Sequence, residues 1–240
     1  MSGHSKWSKV KHQKATTDVV KAQAFTKAGR AIAVAIKEGG KIANPDLNFH
    51  LRLAIEKARS VNMPKETIDR AIARASEEEG SGLAVLLYEG YAKGGVAYLV
   101  EVATDNPNRS VSLVKNVFER HEGSLAGPGS VAYLFERVGV VNVASAPNLS
   151  LDHVIDQALA SGADDVKEYP GGFEIVTRPH LLFAVKDSIE RAGLPVHEAR
   201  LVMRPTAPRV LDHAAEQGIE ELTHDLMALD DVQRVYSNTL

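Results

Sequence analysis

The densest chemical signal lies at the N-terminus. The run Gly3-His4-Ser5-Lys6-Trp7-Ser8-Lys9-Val10-Lys11-His12-Gln13-Lys14 holds four lysines, two histidines and one tryptophan in twelve residues, and no acid. Lysines neutralise phosphates and release counterions, so this composition suits sequence-independent contact with a polyanion. Trp7 offers a face for base stacking or a cation–π contact. It suits still better a hydrophobic anchor docked into a bundle, and an anchored segment would aim its lysines. Lys6, Trp7, Lys9, Lys11, His12 and Lys14 are therefore the leading candidates for nucleic-acid contact, joined downstream by Lys21, Lys27 and Arg30.

A second cluster is Thr104-Asp105-Asn106-Pro107-Asn108-Arg109, between a strand-like and a helix-like run. Asp and Asn at such a junction most often cap the helix and shape the loop. Arg109 sits uncomfortably near the positive end of a helix dipole, so Asp105, Asn106 and Arg109 form a possible second contact with a partner. The nine histidines show no H-x-x-x-H or H-E-x-x-H spacing, and there is no cysteine, so the expectation is no metal site and no thiol chemistry. No phosphate-binding glycine loop and no G-x-S-x-G elbow occurs; the glycines at 90–95 and 127–129 read as chain turns. A chain with no catalytic residues, no cofactor and no small-molecule substrate is expected.

The 240 residues are 44% apolar and 25% charged, ordinary for a globular protein with real cores. No apolar run is long enough to span a bilayer, and Met1–Lys14 lacks the apolar centre of a secretory signal. The expectation is a cytoplasmic protein without a membrane partner. The net charge of −3 conceals an asymmetry: residues 1–74 hold 15 basic against 6 acidic residues, leaving a −12 body behind a +9 head. That pattern suits a polyanion-binding module on a carrier.

The elements needed to position these residues follow from periodicity. Over 17–38 there is no proline, and Phe25, Ala28, Ile32, Ala35 and Ile36 fall within one arc of a helical wheel. Lys27, Arg30 and Lys37 fall opposite, as a basic outer face; Lys14 and Lys21 do not fit it and are assigned to a preceding turn or another helical segment. Gly39-Gly40 ends the helix. A second helix over about 45–61 has Leu47, Leu51, Ala54, Ile55 and Ala58 as its stripe. A third starts at Pro64, making a small bundle, and 77–82 is a polar linker.

Beyond it, 85–91 and 96–104 read as a hairpin, then a helix to His121 and strands at 131–137 and 139–143. Residues 139–205 follow a βαββαβ order, the ferredoxin-like arrangement. A helix over 210–228 and a strand over 232–237 close the chain. The expected fold class is α+β with three domains: a helical bundle at 1–79, an α/β domain split between 83–137 and 207–240, and a second ferredoxin-like α/β module, 138–206, inserted into it; the alternative is a continuous middle domain followed by one C-terminal domain.

These residues resemble the YebC/PmpR family, which includes a mitochondrial translational activator of cytochrome oxidase subunit I. The resemblance rests on Gly3 through Lys14, Phe25-Thr26-Lys27, Asn62-Met63-Pro64-Lys65, Tyr88-Glu89-Gly90-Tyr91, Gly94-Gly95-Val96-Ala97, Thr104-Asp105-Asn106, Gly129 through Phe135, and Leu229-Asp230-Asp231-Val232-Gln233, in that order. The chain departs from it at three places: Ala92-Lys93 in place of Gly-Pro, Pro107 in place of arginine, and Val138 in place of lysine. The resemblance implies a three-domain, non-enzymatic protein acting in gene expression. Members are described as DNA-binding transcriptional regulators, others as ribosome-associated factors that bind ribosomal RNA and relieve stalling at proline runs.

Overall fold

The computed structural model describes the backbone of residues 4–77, 82–147 and 149–239, with side chains from Val20 onward except Ala214. The chain forms two compact units, Met1–Pro128 with Asp212–Val235 and Gly129–Leu211 with Tyr236–Leu240.

The first unit opens with three helices: α1 (His4–Glu38), α2 (Phe49–Ser60) and α3 (Lys65–Ser76). Ala28, Ile32, Ala35 and Ile36 of α1 are buried against Leu51, Ala54, Ile55 and Ala58 of α2 and Ile68 of α3. Two expectations change. The first helix begins thirteen residues earlier than periodicity suggested, so Lys14 and Lys21 belong to the same helix as Lys27. Leu47 lies ahead of α2 and is 73% exposed, not part of its stripe.

The α1–α2 junction is tied by one side chain. Asn48, 2% exposed, caps α2 by accepting from the Leu51 N–H at 3.1 Å. Its amide donates to the Ala35 carbonyl at 3.1 Å and to the Ile42 carbonyl at 2.8 Å. The Ala35 carbonyl also accepts from the Gly39 N–H at 3.0 Å, so the Asn48 amide is its second donor in the last turn of α1. Gly39 leaves the space: a Cβ there would stand 2.2 Å from the Asn48 amide nitrogen.

The same unit holds a four-stranded sheet, with order β3-β1-β2-β8, built from β1 (Ala84–Ala92), β2 (Val96–Thr104), β3 (Ser124–Ala126) and β8 (Val232–Ser237). Helices α4 (Pro107–Arg120) and α7 (His213–Ala228) accompany it. Tyr98 on β2 is fully buried, packs edge-on against Phe118 of α4 at 5.8 Å, and reaches the Ile219 carbonyl and Thr223 hydroxyl of α7 at 3.1 and 3.0 Å. Burial pushes its phenol up to about 12, against the smaller opposing effect of the Thr223 hydrogen bond.

The second unit contains β4 (Phe135–Ala144), α5 (Leu151–Ser161), β5 (Asp165–Tyr169), β6 (Gly172–Thr177), α6 (Leu182–Arg191) and β7 (Val196–Pro205). Its strand order is β5-β6-β4-β7 with antiparallel neighbours, the ferredoxin-like arrangement. Gly139 sits where a Cβ would meet Thr177 at 2.9 Å and Leu182 at 3.1 Å, so glycine permits close packing there. The strand expected at 131–137 is absent as such. Ala132–Leu134 is a 3-10 turn, and Phe135 starts one continuous strand that absorbs the segment expected at 139–143. The third strand of the first sheet is instead the three-residue β3.

Replacing Asn48 with alanine removes the cap of α2 and the amide's hydrogen bonds to the Ala35 and Ile42 carbonyls. The expected loss is about 2 kcal/mol, read as a lower urea midpoint with unchanged slope by far-ultraviolet circular dichroism.

Candidate nucleic-acid interface

Helix α1 is 35 residues long, about 52 Å at 1.5 Å per residue. Its packed stripe begins at Phe25. The basic segment therefore lies on the helix N-terminal to the bundle core. The side chains of Lys6, Trp7, Lys9, Lys11, His12 and Lys14 lie outside the described residues. Lys21 is exposed.

Lys27 and Arg30 are placed differently from a solvated outer face. Lys27 Nζ donates to the Met227 carbonyl in the last turn of α7, and Arg30 donates to the Asp230 carbonyl. Arg30 also pairs with Asp231 at 2.9 Å, its side chain only 18% exposed. The reason is visible in α7, which carries no basic residue in its last turn. A helix C-terminus presents orphan carbonyls and partial negative charge, and Lys27 supplies the missing cation from α1. Burial lowers the Lys27 pKa; Asp230 opposes that, and the Arg30 charge adds to it. Lys37 remains exposed but donates to the Leu83 carbonyl at 3.2 Å.

Asp231, in the short connection between α7 and β8, gathers four side chains. Thr104 Oγ1 of β2 donates to its Oδ2 at 3.0 Å, and the Ser110 hydroxyl of α4 donates to the same oxygen. Arg109 Nη2 donates to Oδ2 at 3.0 Å, and Arg30 reaches Oδ1 from α1. Burial pushes the Asp231 carboxyl up, but hydrogen bonds from Ser110, Arg109 and Thr104, with the Arg30 charge, hold it below the usual carboxylate range.

The Asp105–Arg109 loop feeds this network. Asn106 caps α4, its Oδ1 accepting from the Arg109 N–H at 3.1 Å while its own N–H donates to Thr104 Oγ1 at 2.9 Å. Arg109 bridges Asp105 at 2.8 Å and Asp231, which offsets its awkward place near a helix start. Its contact with Asp105 is largely exposed and is worth little by itself.

Sequence reasoning did not single out Thr104, Ser110 or Asp231 as one cluster. Its available signal was the Asp230-Asp231 pair following a helical run. A second pairing also went unread: His121 Nε2 lies 3.0 Å from Asp225 Oδ2, with Arg120 at 3.3 Å, linking α4 to α7. His121 and Asp225, with Glu220, Glu221 and His224, line a shallow surface depression. Among the described residues, no cluster of histidines and acids is arranged to hold a metal ion, and no helix is long and apolar enough to cross a membrane.

Asp231→Ala leaves the Arg30 cation half-buried without its anion, and breaking such a pair costs about 3 kcal/mol. Because the folded Asp231 pKa is depressed, its stabilisation is present above the unfolded value of roughly 4 and is lost as pH falls through the folded value. Urea titrations at neutral and acid pH check both: Asp231→Ala lowers stability at pH 7, and its deficit shrinks in acid.

Comparison with known proteins bears on these residues as a set. Residues 5–78 match the TACO1/YebC protein N-terminal domain, and residues 83–239 match the TACO1/YebC second and third domain. A relative in Shewanella oneidensis is 43% identical over 99% of this chain and 95% of its own length; one in Pseudomonas putida is 42% identical over the same shares. Each is named "Probable transcriptional regulatory protein". The crystal structure of a conserved hypothetical protein from Aquifex aeolicus superposes with a TM-score of 0.82 at 40% identity, covering 91% of this chain and 90% of that one. With both family domains matched in order along nearly its whole length, the chain belongs to the TACO1/YebC family.

Proposed function

We propose that the chain is a non-enzymatic, nucleic-acid-binding regulator of gene expression in the cytoplasm, acting at DNA as a transcriptional regulator. The observation that carries this reading is the shared name of near-full-length relatives, "Probable transcriptional regulatory protein". Physical support comes from the first helix, whose N-terminal part concentrates lysine without acid while the body is net acidic. In this reading Lys6, Lys9, Lys11, Lys14 and Lys21 contact phosphates, and Trp7 and His12 flank them. Lys27, Arg30, Asp105, Asn106 and Arg109 serve the frame that holds the helix. The head spans 1–79, its carrier 83–137 with 207–240, and the inserted module 138–206.

Phosphate contacts fix position and base contacts fix sequence. Lysine suits phosphates better than base edges, so affinity should be strongly salt-dependent. The test is fluorescence titration of a duplex of about 30 base pairs across a salt series. The double variant Lys9→Glu/Lys11→Glu is expected to bind more weakly, with the log–log salt slope reduced by at least about two, close to one per lost phosphate contact. Unchanged binding would remove the helix from the interface. Stoichiometric co-sedimentation with ribosomes at about 0.15 M salt, where bare charge attraction is screened, without duplex binding, would overturn the DNA reading in favour of ribosomal RNA.

A further inference from the structure

The apolar stripe of α1 fixes its C-terminal part in the bundle. Its charged side is fixed separately. Lys27 and Arg30, three residues apart on one helical turn, are held by three acceptors at the end of α7 and in the α7–β8 connection: the Met227 carbonyl, the Asp230 carbonyl and the Asp231 carboxylate. Asp231 is in turn held by Thr104, Ser110 and Arg109. The carboxylate therefore joins α1 to the strand and helix of the sheet layer.

Two attachments on one turn oppose rotation of a rod about its axis and tilting of that rod. The lever beyond them is long. From His4 to Thr26 the helix runs 23 residues, about 34 Å. A tilt of about 10° at the attachment would move the tip by about 6 Å over that length. Neighbouring phosphates on one strand of a duplex repeat every roughly 3.4 Å along the axis. A loosened attachment would put the lysines of the arm out of register with a polyanion that a fixed arm can track.

From this geometry we infer that Asp231 is a positioning residue, which through Arg30 aims the basic arm of α1 at its nucleic-acid target. The inference rests on the nucleic-acid reading above, but the attachment itself is testable without any ligand. The sign of the outcome separates this from a competing role: were the contact autoinhibitory, releasing Lys27 and Arg30 would add phosphate contacts and strengthen binding.

The absence of cysteine makes site-directed spin labelling direct. Labels at Gln13→Cys on the arm and Asn116→Cys on the exposed side of α4 report the arm's direction by double electron–electron resonance. The full chain should give one narrow distance distribution, broadened or shifted by several ångströms in Asp231→Asn, given the lever of about 34 Å. Arg30→Gln should do the same while leaving Asp231 its other three partners, which covers the case in which Asp231→Asn fails to fold. In duplex titrations Asp231→Asn should weaken binding about tenfold at 0.15 M salt and lower the salt slope by about one or more. A mere loss of folded protein would scale affinity equally at every salt concentration and leave that slope alone. Unchanged distance distributions in both variants would overturn the inference. So would tighter binding with a steeper slope in Asp231→Asn. Failure of the unsubstituted chain to bind duplex would sink the functional reading while the label distances still judged the attachment.

Discussion

A carboxylate taken out of water must be surrounded or it will not stay ionised, and Asp231 is the group around which the first compact unit is arranged. An isolated buried charge costs several kcal/mol. Here two arginines and two hydroxyls, drawn from α1, β2 and α4, meet that demand at one side chain. The backbone joins in, because the Ala103 N–H donates to the Asp231 carbonyl at 2.8 Å and so sets the start of β8 beside β2. Moving any of these elements would leave a charge or a hydroxyl unpaired. Their mutual geometry is specified by satisfaction of polar groups as much as by apolar packing.

Around this centre the charges of the head divide into two roles. Lys27 and Arg30 serve structure, one completing the carbonyl end of α7 and the other answering Asp231. The lysines of the N-terminal segment lie ahead of the packed stripe and ahead of these contacts in sequence. One continuous helix thus carries both a fastening and, in the proposed reading, a polyanion-facing surface. The net acidity of the remaining chain is consistent with a division of labour in which only the head approaches phosphate.

Much of this was legible in sequence. Where a run of strand-forming residues was bounded by turn residues, the elements were readable to the residue: β2 over 96–104 and β8 over 232–237. The reading failed where local pattern and tertiary context part. Leu47 has the right spacing for the α2 stripe, yet the helix begins after it at its Asn48 cap. Val131 through Leu134 is apolar enough for a strand but turns instead, and β3, with three residues, is too short to show a period. Lys14 and Lys21 did not fit the wheel of the packed segment. A wheel describes a face that packs, and the helix runs on beyond the residues that pack. The largest miss concerned Arg30: amphipathicity marks which side is polar but not what lies across it, and its partner stands two hundred positions away. The Asn106 cap was foreseen because capping is local.

The central claim is that nucleic acid meets this protein on the N-terminal part of α1. Amide hydrogen exchange of the full chain, with and without a saturating DNA duplex, tests it most directly. Added protection concentrated in peptides covering residues 4–21, with the second unit unchanged, is the predicted result. Protection confined to residues 129–211, or no change anywhere under conditions of demonstrated binding, would contradict it.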